Sequence, residues 1–183
     1  MAGTTAIAFF NQNGKVSVRI SEKKKDADQW MLKQLEELRL QTLFWDAPLS
    51  LPGVYTQPEL YNDYFYRASD KALSAMSPMF LGGLTARAMR LQTMLPNTVL
   101  QVFEVYPGFL AKVLGLAKKL YKKDNAYLPI FSQQLENDFE FKIENDLQNW
   151  HQFDALLALC TGLRYLKNEH QVYGDLEEGA IIV

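Results

Sequence analysis

Hydrophobic positions along the chain repeat with periods that predict both strands and helices. Residues 4–21 alternate apolar and polar side chains around Asn13-Gly14, a pair that favours a tight turn between two strands. The segment that follows carries leucines three residues apart, which indicates a helix capped by Asp26 or Asp28. The pattern therefore opens with a hairpin and continues with a helix.

Two short segments further along are almost entirely apolar and end at a proline. They are residues 42–48, TLFWDAP, and residues 98–107, TVLQVFEVYP. Each pattern predicts a strand that is covered on both faces. Residues 53–95, between them, are predicted to be helical, with helices opened by Pro58 and Pro78. A helical crossover of this length allows the two strands to lie parallel in one sheet.

The remaining pattern is mainly helical. A short helix begins at Pro107 and stops at Gly115, and a second occupies residues 129–138. Residues 149–170 have a strongly helical pattern, and residues 179–183, GAIIV, favour a final extended piece. This order of elements predicts a single α/β domain over residues 1–183.

Composition narrows the class of protein. The chain has 183 residues, 48% of them hydrophobic, and a net charge of −2, so contact with nucleic acid would need a local basic patch. The single cysteine, Cys160, excludes an internal disulfide, and its apolar helical neighbours indicate an inert core thiol. Neither a signal peptide nor a membrane-spanning run occurs, which predicts a soluble cytoplasmic protein without a membrane partner.

Several familiar catalytic motifs do not occur in the sequence. It contains no Walker loop, no G-x-G-x-x-G fingerprint, no nucleophile elbow and no Cys/His zinc spacing. Their absence argues against nucleoside-triphosphate kinases, dehydrogenases, serine-type hydrolases and zinc sites.

Three acids occupy positions that point to one site. Asp46 and Glu104 each end an apolar run shortly before a proline, so both are expected at the carboxyl end of a strand, where open α/β sheets bind ligands. Asp154 lies early in the last long helix, beside a stripe of small residues that would carry it toward the sheet: Ala155, Ala158 and Gly162. Carboxylates are ligands that Mg²⁺ or Mn²⁺ prefers. Taken singly, an acid at a strand end is more often a loop acceptor or a helix cap, and Asp154 near a helix start would be stabilised by the helix dipole without any function.

Several segments together resemble a known family. FWDAPLSLP, FEVYPGFLAKVLG, HQFDALLALCTGLRY and YGDLEEGAIIV, in this order, resemble the predicted RNase H-like nucleases, a family classed as a domain of unknown function; YRASD and LTARAMRL resemble its intervening helices. The resemblance runs from about residue 4 to the end. It implies a mixed RNase H-like sheet flanked by helices, with Asp46, Glu104 and Asp154 as metal ligands. His151 matches the histidine of the family's H-x-x-D-A pattern, and these four residues are the candidate catalytic set.

One difference from the family concerns the first strand. Its members normally begin with a central strand that ends in Gly-(Ile/Val)-Asp and supplies a fourth acid, whereas here the sequence begins MAGTTAIAFF. We therefore expect the N-terminal central strand to be missing or displaced, with a gap in the sheet. Unpaired strand edges are templates for association, so a homodimer is expected.

Basic residues supply candidates for binding a substrate phosphate. Arg67 and Arg87 lie on the crossover at family-like positions, and Lys118 and Lys119 begin the densest basic cluster, KKLYKKD. The arginines could bind phosphate or form ion pairs with nearby acids. The lysines could bind phosphate or simply lie at a solvent-exposed helix end. For His151, the alternative to catalysis is an exposed histidine at a helix start.

Two functions remain open. The first is a metal-dependent nuclease or phosphodiesterase, in which Mg²⁺ or Mn²⁺ bound by the three acids activates water against a phosphodiester, with nucleic acid as the partner. The alternative is a catalytically incomplete α/β module that acts in assembly or ligand binding.

Overall fold

The computed structural model describes residues 4–116 and 120–183. The chain opens with an antiparallel hairpin of β1 (Ala6–Phe10) and β2 (Val16–Ile20). Its turn contains Gly14 at φ 72°, a conformation that glycine adopts without steric cost. The predicted hairpin is confirmed.

The helix that follows the hairpin is also as predicted. It is α1 (Ala27–Leu38), and the Asp26 side chain caps it by accepting hydrogen bonds from the backbone N–H groups of Asp28 and Gln29. Of the two predicted caps, Asp26 is therefore the one used. The Asp28 carboxylate instead forms ion pairs with arginines of a later helix.

A second sheet has the strand order β3-β4-β6-β5. Strands β3 (Thr42–Trp45), β4 (Gln101–Val105) and β6 (Ile181–Ile182) are parallel, and β5 (Val172–Tyr173) runs antiparallel to β6. The sheet is therefore mixed, and the protein is of the α/β class. The predicted final extended piece is β6, which pairs with strands on both sides.

The crossover between β3 and β4 is less helical than the sequence predicts. It contains a 3-10 turn at Gly53–Tyr55 and three helices, α2 (Ala68–Leu73), α3 (Pro78–Leu81) and α4 (Gly83–Gln92). A helix beginning at Pro58 is wrong, because residues 56–67 are not helical.

The reason lies in a local side-chain contact within that segment. The Asp63 carboxylate accepts hydrogen bonds from the backbone N–H groups of Phe65 and Tyr66 at 2.8 and 2.9 Å. A short acidic side chain that binds its own backbone in this way competes with helical hydrogen bonding. The helix starts only at Ala68, five residues after Asp63.

The C-terminal half is built around one long buried helix. After α5 (Pro107–Val113) and α6 (Leu128–Phe139), α7 (Trp150–Leu166) packs against both of them and against β1. Cys160 of α7 is fully buried, and burial raises the pKa of its thiol well above its ordinary range. This burial fits an inert core thiol.

Both faces of β3 are covered, as predicted, because Leu43 and Trp45 pack with α1 and Phe44 packs against α7. One edge of the strand is open in the described residues. All four residues of β3 are only partly buried, and in the described part of the chain β3 pairs with β4 alone while β1 pairs with β2 alone. The two sheets are therefore separate, and a gap lies between β1 and β3. Within residues 4–116 and 120–183, no helix combines the length and the apolar character needed to cross a bilayer.

Candidate functional site

The carboxyl ends of β3 and β4 meet the start of α7. Trp45 lies opposite Glu104 in the parallel pair, so Asp46 and Glu104 leave the sheet at the same edge. Asp46, His151 and Asp154 all line one cavity. The structure therefore brings the predicted residues to one end of the sheet, but their side chains have different partners.

The Glu104 carboxylate is bound by an arginine rather than left open to a ligand. Arg67 Nη1 and Nη2 donate to its two oxygens at 2.7 and 2.6 Å, and the backbone N–H of Leu49 donates to Oε2 at 2.8 Å. Both side chains are buried, Arg67 completely. An acid at the end of a buried strand is stabilised here by a bidentate ion pair.

Arg67 also contacts the start of its own helix. Its guanidinium donates to both Asp70 oxygens, at 2.8 and 3.1 Å, and to the Ser50 hydroxyl at 2.9 Å. Burial alone would lower the pKa of Arg67, but the hydrogen bonds to Glu104 and Asp70 raise it above its ordinary range. Of the two roles considered for Arg67, the structure contains the ion pair, and this guanidinium is already fully engaged.

The loop before β6 is attached to the same cluster. Glu178 is buried, and its carboxylate accepts from the backbone N–H groups of Gly53 and Ala68 at 2.9 and 2.7 Å. The next residue, Gly179, has φ 126°, and a Cβ there would lie 2.1 Å from Ser50 Oγ. We call Ser50, Arg67, Asp70, Glu104 and Glu178 the Arg67 cluster.

The carboxylate of Asp154 is held by two side chains from the segment before α6. The Tyr121 hydroxyl donates to Oδ1, and Lys122 Nζ lies 2.7 Å from Oδ2. Burial and the neighbouring Asp154 raise the pKa of Tyr121 above its ordinary range, so the phenol stays protonated as a donor. Lys122 belongs to the predicted basic cluster, yet it pairs with a site acid.

Asp46 has a different environment from the other two acids. Asp46 is exposed to solvent at the end of the cavity, although neighbouring protein atoms crowd its carboxylate. Desolvation, followed by repulsion from Asp154 and Glu104, raises its pKa from 3.8 to about 7, although Lys122 acts in the opposite sense. In the described ranges, no cation lies within salt-bridge distance of Asp46.

The cavity beside Asp46 occupies the gap between the two sheets. We call it the interstrand cavity; its volume is about 670 Å³, and its long sides are β1 and β3. Residues of α1, α4 and α7 cover its two faces, among them Met31, Leu35, Leu84, Ala155 and Leu159. Its walls are mainly apolar, with carboxylates at the end formed by Asp46 and Asp154.

The small-residue stripe of α7 has two roles at this cavity. A Cβ on Gly162 would lie 2.8 Å from the Phe44 ring, so the missing side chain allows α7 to approach β3 closely. Ala155 and Ala158 line the cavity, and their small side chains leave it wide. The predicted close approach is confirmed at Gly162.

Among the described residues, the backbone groups on the cavity-facing edge of β1 have no hydrogen-bond partner. Ser21 N–H donates to the Thr5 carbonyl at 2.9 Å, so Thr5 and Ser21 form a hydrogen-bonded pair at the start of the hairpin. Because backbone groups alternate between the two edges of a strand, those of Ala6 and Ala8 point away from β2.

Across the cavity, the edge of β3 that faces away from β4 is also open among the described residues. Gln101 N–H donates to the Gln41 carbonyl at 3.1 Å, so the backbone groups of Thr42 and Phe44 point away from β4. These two residues also line the cavity. Two open strand edges therefore border one apolar space.

The other predicted residues are not brought into one phosphate-binding group. Arg87 pairs with Asp28 and donates to the Thr5 hydroxyl at 2.8 Å. His151 is exposed at the rim of the cavity. Lys118 and Lys119 lie outside the described residues.

Two of the three acids predicted as metal ligands already have protein partners, Glu104 with Arg67 and Asp154 with Tyr121 and Lys122. Within the described ranges, no group of three or more acidic, histidine or cysteine side chains is placed to hold a metal ion. Arg67 binds both oxygens of Glu104, and Tyr121 and Lys122 bind those of Asp154. Mg²⁺ demands near-octahedral oxygen ligands, and the donor set does not fit a three-carboxylate centre.

Sequence reasoning missed several residues that shape the site. The importance of Glu178 was indicated by the E-E-G sequence at residues 177–179. Tyr121 lies within the basic cluster KKLYKKD, of which only the lysines were considered. The contact between Tyr121 and Asp154 spans 33 positions and had no local signal. Comparison with family models, with curated proteins and with solved structures found no match for this chain.

Proposed function

We propose that the protein is an α/β binding module of RNase H-like architecture whose interstrand cavity accepts an extended apolar ligand. The observation that carries this proposal is the cavity of about 670 Å³ between the open edges of β1 and β3. Ligand pockets commonly have volumes of roughly 300–1,000 Å³ and mainly apolar walls. An antiparallel hairpin followed by the parallel pair of β3 and β4 supports the RNase H-like part of this proposal.

The charges at the cavity define the kind of ligand. Its body is apolar, because Met31, Leu35 and Leu159 line the space. Its end near Asp46 carries a positive charge or a hydrogen-bond donor, because carboxylates occupy that end. The Arg67 cluster has a structural role in this proposal, since it attaches the crossover to the sheet.

A neutral environment-sensitive dye such as Nile red tests whether the cavity binds apolar molecules. Ala155→Phe places a ring in the cavity and should weaken dye binding about tenfold or more. Ala126→Phe, at an exposed position away from the cavity, is the matched control. Equal dye affinity in both variants and in the wild type would contradict the proposal.

Metal-dependent phosphodiester hydrolysis is the second candidate function. It is favoured by one observation: Asp46 and Asp154 line the same cavity, and repulsion from Asp154 helps to raise the pKa of Asp46. A cation there would relieve the repulsion. Two carboxylates leave an incomplete ligand shell, so Mg²⁺ or Mn²⁺ would bind weakly.

Calorimetry with Mn²⁺ tests this second function. Wild-type protein should bind the ion weakly, and Asp46→Asn should reduce the heat of binding. Asp146→Asn removes an exposed carboxylate elsewhere and should leave it unchanged. Identical heats for wild type and Asp46→Asn would exclude Asp46 as a metal ligand.

A further inference from the structure

We propose that the occupant of the interstrand cavity is a β-strand supplied by another polypeptide chain, apolar along about five residues and carrying a lysine or arginine where it passes Asp46 and Asp154. This inference rests on the proposed function and names its ligand. It follows from four features of the cavity: its open edges, its length, its walls and its charges.

The open edges carry backbone polar groups that an apolar small molecule would leave without partners. Backbone groups of Ala6 and Ala8 face the cavity from one side, and those of Thr42 and Phe44 face it from the other. A polypeptide strand alternates N–H and C=O groups along both of its edges. One inserted strand can therefore pair with β1 and β3 together and join the two sheets.

The dimensions fit a short strand. β1 has 5 residues and β3 has 4. A strand rises about 3.3 Å per residue, so a partner of about five residues spans the same length as β1.

The walls define which side chains the strand carries. Ala155 and Ala158 of α7 line one face, and Met31 and Leu35 of α1 line the other. A strand covered by helices on both faces has apolar residues at successive positions rather than alternating ones. Small or β-branched side chains suit this space.

The charges define the residue at one end. Lys122 compensates Asp154, and Arg67 compensates Glu104, whereas Asp46 has no cation within salt-bridge distance in the described ranges. A basic side chain at this end of the strand would pair with Asp46. An acidic side chain would add a fourth carboxylate to the same region and would be repelled.

The described strands of a second copy are already in use. Within residues 4–116 and 120–183, each of the six strands is paired in its own sheet. A separate polypeptide with an accessible extended segment supplies the strand instead. This mode of recognition is the addition of a strand to open sheet edges.

Dye-labelled synthetic peptides and fluorescence anisotropy test the inference with the full chain. The probe peptide has five valine and isoleucine residues with a lysine at one end; a second has the lysine at the other end, and which of them binds fixes the strand direction. Replacing lysine by glutamate should weaken binding about tenfold or more, and so should N-methylation of alternate peptide nitrogens. Ala155→Phe should abolish binding, and Ala126→Phe should leave it unchanged.

Each contrary result has a defined meaning. Equal binding of the N-methylated peptide would overturn strand pairing, because that peptide keeps its apolar side chains but loses backbone donors. If Nile red binds and no peptide does, the inference fails and the proposed function stands. Binding only when the peptide is fused to the amino terminus of this chain would overturn a separate partner. A wild-type dimer that Ala155→Phe converts to a monomer would also overturn a separate partner, because the occupant would then be a second copy of this chain.

Discussion

The Arg67 guanidinium binds both carboxylate oxygens of Glu104, although 37 positions separate the two residues in the sequence. The pair links the crossover to the carboxyl end of β4 and is almost completely buried. It neutralises one of the three acids at this edge of the sheet. Lys122 pairs with a second, Asp154, so Asp46 is the acid that has no cation within salt-bridge distance in the described residues.

Removing the Arg67 side chain should strongly destabilise the fold. Arg67→Met leaves two buried carboxylates, Glu104 and Asp70, without their cation, and loss of one partner of a buried ion pair costs about 3–5 kcal/mol. Urea denaturation measures this loss. The control is Lys71→Met, which breaks the exposed pair with Asp63 and should leave the free energy of unfolding nearly unchanged. Similar costs for the two variants would show that the Arg67 pair does not hold the crossover in place.

A glycine beside this cluster provides a second test of its packing. Gly179→Ala places a Cβ 2.1 Å from Ser50 Oγ at φ 126°, so both the contact and the backbone conformation are unfavourable, and a loss of roughly 1–3 kcal/mol is expected. Gly83→Ala is the matched control, because this glycine lies in helix α4 and a Cβ added there would meet no atom within 4 Å. That variant should gain roughly 0.4–1 kcal/mol, because alanine has less conformational freedom than glycine in the unfolded chain. Thermal unfolding of the two variants should therefore shift in opposite directions.

The sequence predicted the elements whose signals are local. The hairpin around Gly14, the cap at Asp26 and the long helix α7 follow from turn chemistry, capping and apolar periodicity, and all are present. The helix expected from Pro58 failed because the Asp63 side chain binds the backbone of its own turn. The parallel pairing of β3 and β4 followed from the crossover between them.

The site was less predictable, because its contacts join distant segments. The shared pattern of apolar run, acid and proline placed Asp46 and Glu104 at one edge, as the structure has them. It could not indicate that Arg67 binds Glu104 or that Tyr121 and Lys122 bind Asp154. The interstrand cavity likewise depends on how two sheets and α7 pack, and no single segment encodes it.

Homodimer formation remains a prediction and needs a probe that preserves the fold. Ile7 is unsuitable, because its side chain is 8% exposed and packs in the core. Phe10, at the end of β1, is 43% exposed, so Phe10→Lys should disturb an interface more than the core. Light scattering should give twice the monomer mass of 21.0 kDa for wild type and the monomer mass for Phe10→Lys. Leu176→Lys, at a position 82% exposed, is the control; monomeric wild type would contradict the prediction.

The raised pKa of Asp46 predicts a stability that depends on pH in a defined direction. Its pKa is about 7 in the folded chain and near 3.8 when unfolded, so the folded state favours the protonated form. The contribution of Asp46 to the free energy of unfolding is therefore fully present below about pH 4, where its carboxyl is protonated. It is lost as the pH rises through 7 and the carboxyl ionises. Asp46→Asn, which cannot ionise, should therefore raise Tm by a few degrees at pH 8, since solvent in the cavity screens part of the effect.

The difference in Tm between Asp46→Asn and wild type should shrink steadily from pH 8 to pH 4. Asp154 and Glu104 add to the cost of ionising Asp46, whereas Lys122 lowers it, so Lys122→Met should enlarge the difference at pH 8. Asp146→Asn, at an exposed site, is the matched control and should show no such trend. Thermal unfolding of these variants across this pH range measures the effect. A difference in Tm that stays constant with pH would mean that Asp46 ionises freely at a well-solvated end of the cavity. A difference that grows toward pH 4 would mean that the fold stabilises its charged form.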